Sequence, residues 1–216
     1  METSIKYVIV CDLETGGLPS KEKKPFYDIP ITEIAIAVVD MKNLEIIDRF
    51  TQILAPYKDG LIYSAEAAAI TGLTEDIISR EGVSLDVFFK SIKDLFKKYT
   101  NKRLKAILCG HNFQGFDYPF LQNLFEYKNE SISEYIGFVE DTMKLAYYGS
   151  LEQINYKLGT CCTARNIELT NAHRALADTE SNALLFIEYI KSLRNLISIS
   201  KEVKEEFCFR DKFQLG

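Results

Sequence analysis

Histidine is almost missing from this chain, which has His111 and His173 and no others among 216 residues. A metal centre here would therefore have to rest on carboxylates, which favour hard cations with oxygen ligands. Cysteine is sparse and odd in number: Cys11, Cys109, Cys161, Cys162 and Cys208 lack the paired spacing of a zinc site. Cys11 and Cys109 fall in strand-like runs, where a reduced buried thiol is the default, so a reducing, cytoplasmic setting is expected. No apolar run approaches the roughly 20 residues that cross a bilayer, and the first six residues lack the layout of a signal peptide. Positive charge is short as well. With 26 basic against 31 acidic residues and a net charge of −5, general attraction to long nucleic acid is excluded, and binding would rest on a few local contacts.

A hydrophobic content of 47% over this length suffices for one packed domain, and no internal repeat interrupts it. Tyr7 to Cys11 reads as a buried strand. Ile31 to Asp40, nearly all apolar, and Ile46 to Leu54, alternating like an edge strand, form an antiparallel pair across the short link from Met41 to Glu45. Leu85, Phe88, Phe89, Ile92, Leu95, Phe96 and Tyr99 recur at helical spacing. Leu104 to Cys109 and Phe138 to Glu140 predict two more strands, with a helix from Met143 to Tyr148 that Asp141 could cap. The pattern is α/β.

Three segments carry chemistry. Asp12 and Glu14 lie two apart at the end of the first strand, so both side chains point one way. Asp117 stands where Phe116, Phe120, Leu121, Leu124 and Phe125 begin a helical stripe, with Pro119 tolerated in the first turn. It could equally be a first-turn aspartate that complements the helix dipole. His173 precedes Asp178 by five residues, ahead of a helix striped by Leu184, Ile187, Ile190, Leu193 and Ile197. Five residues turn a helix by about 140°, so His173 is expected on the loop leading in, and Glu180 is expected to face solvent. An unperturbed imidazole titrates near ~6.5, where a general base works best. His111 reads as a hydrogen-bonded structural histidine and Asn112 as a candidate phosphate contact.

Asp12-Leu13-Glu14, the segment from His111-Asn112 to Asp117, and the His173 to Asp178 spacing resemble the three motifs of the DEDDh (DnaQ-like) 3′-to-5′ exonuclease family, relatives of the epsilon proofreading subunit, RNase T and oligoribonuclease. The sister class would place Tyr four residues before the last Asp, where this chain has Arg174. The resemblance implies a ribonuclease H-like fold, with a central mixed five-stranded sheet and helices on both faces, over residues 5–197, leaving 198–216 as a tail. It implies two Mg²⁺ or Mn²⁺ ions, with Asp12 bridging both, Glu14 and Asp178 on the one that carries the nucleophilic water, Asp117 on the other, and His173 as general base. Leu13, Thr15, Ile70, His111, Asn112 and Phe116 would meet the substrate. Ala69 to Thr74 also resembles a family segment, although Thr71 stands where many members have histidine.

The connection from Gly16 to Pro30 holds three of the five prolines, and Lys21, Lys23 and Lys24 beside Phe26 and Tyr27. It could meet phosphates and stack on bases, or be a solvated loop. The tail either packs back through Phe207, Phe209 and Phe213 or anchors a partner. The expected activity is release of nucleoside 5′-monophosphates from the 3′ end of DNA, single-stranded or 3′-terminal, with a polymerase or clamp as possible partner and no membrane. An exoribonuclease acting on short or structured RNA ends, and a non-catalytic binding module of the same fold, stay open as alternatives.

Overall fold

The structure, a computed structural model, describes residues 5–100, 105–149, 153–168 and 175–206, the last eight of these for their backbone only. At its centre lies β1, Tyr7–Thr15, in which Val8, Ile9, Val10 and Cys11 are fully buried. An unbroken apolar run rich in β-branched residues suits a strand covered on both faces. β2, Ile31–Asp40, runs antiparallel beside it and is buried almost throughout, while β3, Glu45–Ile53, forms the alternating edge strand its sequence predicts. β4, Ala106–Gly110, and β5, Ile136–Asp141, are parallel to β1 on its other side, giving the mixed order β3-β2-β1-β4-β5. This is the expected five-stranded, ribonuclease H-like sheet. Gly110, one residue beyond the strand expected from sequence, is the last paired residue of β4, opposite Asp141.

Among the described residues seven helices surround the sheet: α1 Ala65–Thr71, α2 Glu75–Glu81, α3 Leu85–Tyr99, α4 Asp117–Tyr127, α5 Thr142–Gly149, α6 Leu158–Thr163 and α7 Ala175–Glu206. One face of the sheet presents Ile9, Cys11, Leu13, Ile34, Ile36 and Val38 to the aromatic faces of α3 and α4. The alternate residues Val8, Val10, Ala37 and Val39 face α7 through Ala183, Phe186 and Ile187. Asp12 and Glu14 continue the second set, so strand alternation alone delivers them to the α7 side.

Three expectations are corrected. Phe26 is not a platform for bases: it is fully buried, stacked on Tyr57 at 4.8 Å, and its carbonyl accepts the Tyr57 hydroxyl proton. The connection around it is stitched down, with Gly16 N–H donating to Pro30 O at 2.9 Å and Ser64 N–H to Gly16 O at 2.7 Å. A side chain at Gly16 would meet Ile62 O at 2.4 Å, so the position tolerates no Cβ. The face of α7 that packs on the sheet centres on Ala183, not on Leu184, and Leu193 and Ile197 are exposed. That helix also runs through the boundary expected at 197/198 and ends at Glu206, so the tail begins as helix.

Candidate active site

β1 outlasts its parallel neighbour. β4 pairs with Val8, Ile9 and Val10 only, which leaves the backbone edge of β1 beyond Val10 without a strand partner on that side. Asp117, at the start of α4, fills the gap: its Oδ1 accepts the Leu13 N–H at 3.1 Å. Asp117 is 4% exposed and gives α4 an acid in its first turn. Burial pushes its carboxyl up to about 8 against the opposing pull of the Leu13 and Asp117 backbone N–H groups, with Glu14 and Asp141 adding repulsion.

Asp12 lies deep in the molecule yet keeps part of its surface accessible, as a group on the floor of a cleft does. Its carboxyl is held well above the usual range, first by burial and then by the charges of Asp117, Glu14, Asp178 and Glu33. Four acids from β1, α4 and α7 are thus electrostatically in contact. Glu33 was not anticipated. It is buried on β2 directly opposite Glu14, and accepts the Thr51 hydroxyl proton at 3.0 Å. Like charges facing each other across a sheet are destabilising, and the pattern Glu14, Glu33 reveals itself only once the register is known. Ala35 lies opposite Asp12, and its small side chain leaves space beneath α7.

This donor set is all oxygen and all acidic, which suits hard divalent cations. As they stand, no three His, Cys, Asp or Glu side chains among the described residues form a ready-made ion cage. His173 lies outside the described residues. Glu180, expected to face solvent, is half-exposed and pairs with Arg49 of β3.

Leu13, Glu14, Thr15, Ile70 and Phe116 line a single cleft of about 440 Å³. The far wall is α1, whose two ends the sequence marks by capping chemistry that periodicity misses. Ser64 Oγ accepts the Ala67 N–H, and Gly72 ends the helix in the left-handed region at φ 74°. Seven residues are too few to show a stripe, which is why α1 and α2 went unpredicted. Thr71 donates to Ala67 O at 3.0 Å and accepts from Leu73 N at 3.1 Å, so its hydroxyl is engaged within the turn and Ile70, 60% exposed, is the residue offered to the cleft. Thr15 turns its hydroxyl inward to Gly17 O at 2.8 Å.

His111 and Asn112 are not in that cleft. Both ring nitrogens of His111 are engaged, Nε2 with Tyr156 O at 2.8 Å and Nδ1 with Thr142 Oγ1 at 2.9 Å. A carbonyl only accepts, so Nε2 carries the proton. Burial lowers the imidazole's pKa. The Thr142 hydroxyl donates to the Asn182 amide oxygen at 2.6 Å and lies 3.1 Å from the Gly110 carbonyl oxygen. His111 is therefore built into the scaffold, as its reading as a hydrogen-bonded structural histidine expects. Asp141 Oδ1 accepts from Met143 N at 3.0 Å, capping α5, and from Asn112 N at 2.9 Å.

Comparison with known proteins agrees with this geometry. Residues 9–186 match the RNase T exonuclease family. The chain is 32% identical over 185 residues to the PolC-type DNA polymerase III of Bacillus cereus and 34% identical over 183 residues to that of Bacillus subtilis; each match covers about 85% of this chain but only 11% of the polymerase. In fold it resembles E. coli exonuclease I in complex with a dT13 oligonucleotide (TM-score 0.72, 19% identity, 90% of this chain and 43% of the other). It also resembles the nuclease domain of 3′hExo, a DEDDh family member bound to rAMP (TM-score 0.70, 17% identity, 89% and 95%). No described helix is long and apolar enough to cross a membrane. Because the matched stretch takes in both Asp12 and Asp178 and most of the chain between its ends, this protein belongs to the RNase T exonuclease family.

Proposed function

We propose that this chain hydrolyses phosphodiesters from the 3′ end of single-stranded DNA and releases nucleoside 5′-monophosphates. The observation that carries the reading is the convergence of Asp12, Glu14, Asp117 and Asp178 beside a cleft large enough for one nucleotide. DNA is favoured over RNA by the relatives at 32–34% identity, which are DNA polymerases. A polymerase or clamp in the working complex belongs to the same proposal.

Asp12, Glu14, Asp117 and Asp178 would hold two Mg²⁺ or Mn²⁺ ions, which supply charge for the phosphoryl oxygens and acidity for water. The protein's own part is positioning. Leu13, Ile70 and Phe116 enclose the terminal nucleoside, and the backbone of α1 fixes the depth to which it enters. Asp117, tied to Leu13 N–H, sets the distance between this cleft and the acids, so the scissile bond is held over Asp12. His173, from its spacing to Asp178, takes the proton of the attacking water. Stacking and enclosure of one nucleotide explain a preference for ends over internal bonds.

The test is incubation of 3′- and 5′-labelled single-stranded DNA and RNA with Mg²⁺, Mn²⁺ or EDTA. Stepwise shortening of 5′-labelled DNA with immediate loss of a 3′ label, abolished by EDTA, is the expected result. Internal cuts, or no products with either ion, would overturn the proposal.

A further inference from the structure

Beside the turn that carries Asp117 lies a second groove, of about 400 Å³, lined by His111, Asn112, Met143, Tyr147, Tyr156 and Lys157 among others. The turn itself, Asn112 to Phe116, is closed by Phe116 N–H donating to Asn112 O at 3.1 Å. Phe116 borders the terminal cleft and Asn112 borders this groove, so one short turn separates the two. We propose that the groove is a second nucleotide subsite, in which an unpaired base upstream of the 3′-terminal nucleotide stacks on Tyr147 and its phosphate meets Lys157. The inference rests on the exonuclease reading above and extends it to the strand behind the scissile bond.

Four observations favour this occupant. Tyr147 is 49% exposed although its ring lies 4.1 Å, centroid to centroid, from that of Tyr156; one side is therefore braced and the other is open. Tyr148 and Ile154, 84% and 94% exposed, extend the apolar surface along the same stretch of chain. These side chains are open to a ligand. The floor is rigid, because the Tyr156 carbonyl accepts from His111, which is held in turn by Thr142 and Asn182. Finally, among the described residues the groove lining includes no acid and includes Lys157, whereas the terminal cleft is lined by Glu14 and Glu66. In a chain of net charge −5 that local balance suits a phosphate. Aromatic rings with a neighbouring cation are how single strands are held without sequence preference. His111 thereby becomes a positioning residue for the groove floor.

The experiment compares two kinds of substrate with the whole chain in Mn²⁺. The methyl ester of thymidine 5′-monophosphate occupies the terminal cleft alone, while oligothymidylates of two to six nucleotides also reach the groove. For the natural chain, KM should be lower on the oligomers than on the ester. Tyr147→Ala should raise KM on the hexamer by roughly fivefold to a hundredfold, the range of one lost stacking contact, and leave the ester unaffected. Tyr147→Phe should behave as the natural chain. Lys157→Ala should flatten the log-log salt dependence of binding by about 0.7, one phosphate contact on a single strand. Equal losses on ester and oligomer, or no change in either variant at any length, would overturn the proposal. If the natural chain turns over neither substrate, it is the exonuclease reading that fails. The groove is then read separately, by anisotropy of a 5′-fluorescein hexathymidylate in Ca²⁺, where Tyr147→Ala must still weaken binding for the proposal to stand. Loss of affinity for a protein partner with nucleic acid binding intact would count against it.

Discussion

The two faces of the sheet are built from the same strands to opposite ends. Toward α3 and α4 the side chains are large and apolar: Phe88, Phe96, Phe120 and Phe125 are fully buried, with Phe89 and Phe125 edge to face at 5.0 Å. Toward the start of α7 the same alternation offers Ala35 and Ala37, then Asp12, Glu14 and Glu33. One face gains stability by removing aromatic surface from water. The other sets like charges together at a cost to the fold, an arrangement that a purely structural sheet has no reason to keep. The difference separates the residues that hold the protein together from those that give it work.

The largest expected effect is on the acidic face. Asp12→Asn or Asp178→Asn should reduce nucleotide release to background while the protein remains folded, because each removes charge from the ion-binding set and not from the core. Near-normal release from a labelled oligonucleotide by either variant would remove the basis of the metal site. His173→Ala should lower the maximal rate by roughly 10² to 10⁴ and change the acid limb of the pH–rate profile, with substrate affinity little altered; an unchanged profile would return His173 to a structural role. On the aromatic face the expectation reverses. Phe125→Ala should cost about 3–5 kcal/mol in denaturant unfolding, with the rate per folded molecule retained, and a loss below 1 kcal/mol would show that this face is not the main source of stability.

Acidity separates the faces in a further way. Asp12 and Asp117 titrate well above ordinary carboxylates, so the folded chain keeps protons that the unfolded chain has released. The unfolded state then binds fewer protons, and stability falls as pH rises from the ordinary carboxylate range to about 8, the value for Asp117. In EDTA the melting temperature should decline across that window, and Asp117→Asn should flatten the decline. Mg²⁺ should raise the melting temperature more at pH 8 than at pH 5, since ions displace the same protons; an ion effect independent of pH would mean these carboxylates are not the ligands. The smallest effect belongs to the half-exposed pair of Arg49 with Glu180, where Arg49→Ala should cost at most about 1 kcal/mol in the same denaturant titration.

How much of this could be read beforehand depended on how local the cause was. Strand alternation placed Asp12 and Glu14 on one face, and helical spacing put Asp117 at the head of α4, because both are properties of a few adjacent residues. The antiparallel pairing of β2 with β3 followed from the short link between them, and the mixed five-stranded sheet from the family resemblance, while the strand order needed the structure. Glu33 stayed hidden because its neighbours come from another strand. The role of Phe26 and the partners of His111 were hidden for the same reason: Tyr57 lies 31 residues from Phe26, and Tyr156 lies 45 from His111. Lysines beside Phe26 looked like a binding loop, yet the aromatic ring was claimed by the core, where burial of that much apolar surface outweighs any surface role. The helix α1 could have been found from Ser64 and Gly72, a cap at each end, had capping been weighed ahead of periodicity.

The bond from Leu13 N–H to Asp117 spans 104 positions of sequence. Hairpins such as β2 with β3 close early, whereas a contact across so long a loop must wait for the chain between to be ordered. During synthesis, with the amino-terminal part emerging first, β1 is made long before the helix that completes its exposed edge, and Asp178 arrives later still. A half-made chain therefore carries Asp12 and Glu14 without the rest of their set. On the proposed function, activity would wait for α7, because only then does Asp178 join Asp12, Glu14 and Asp117.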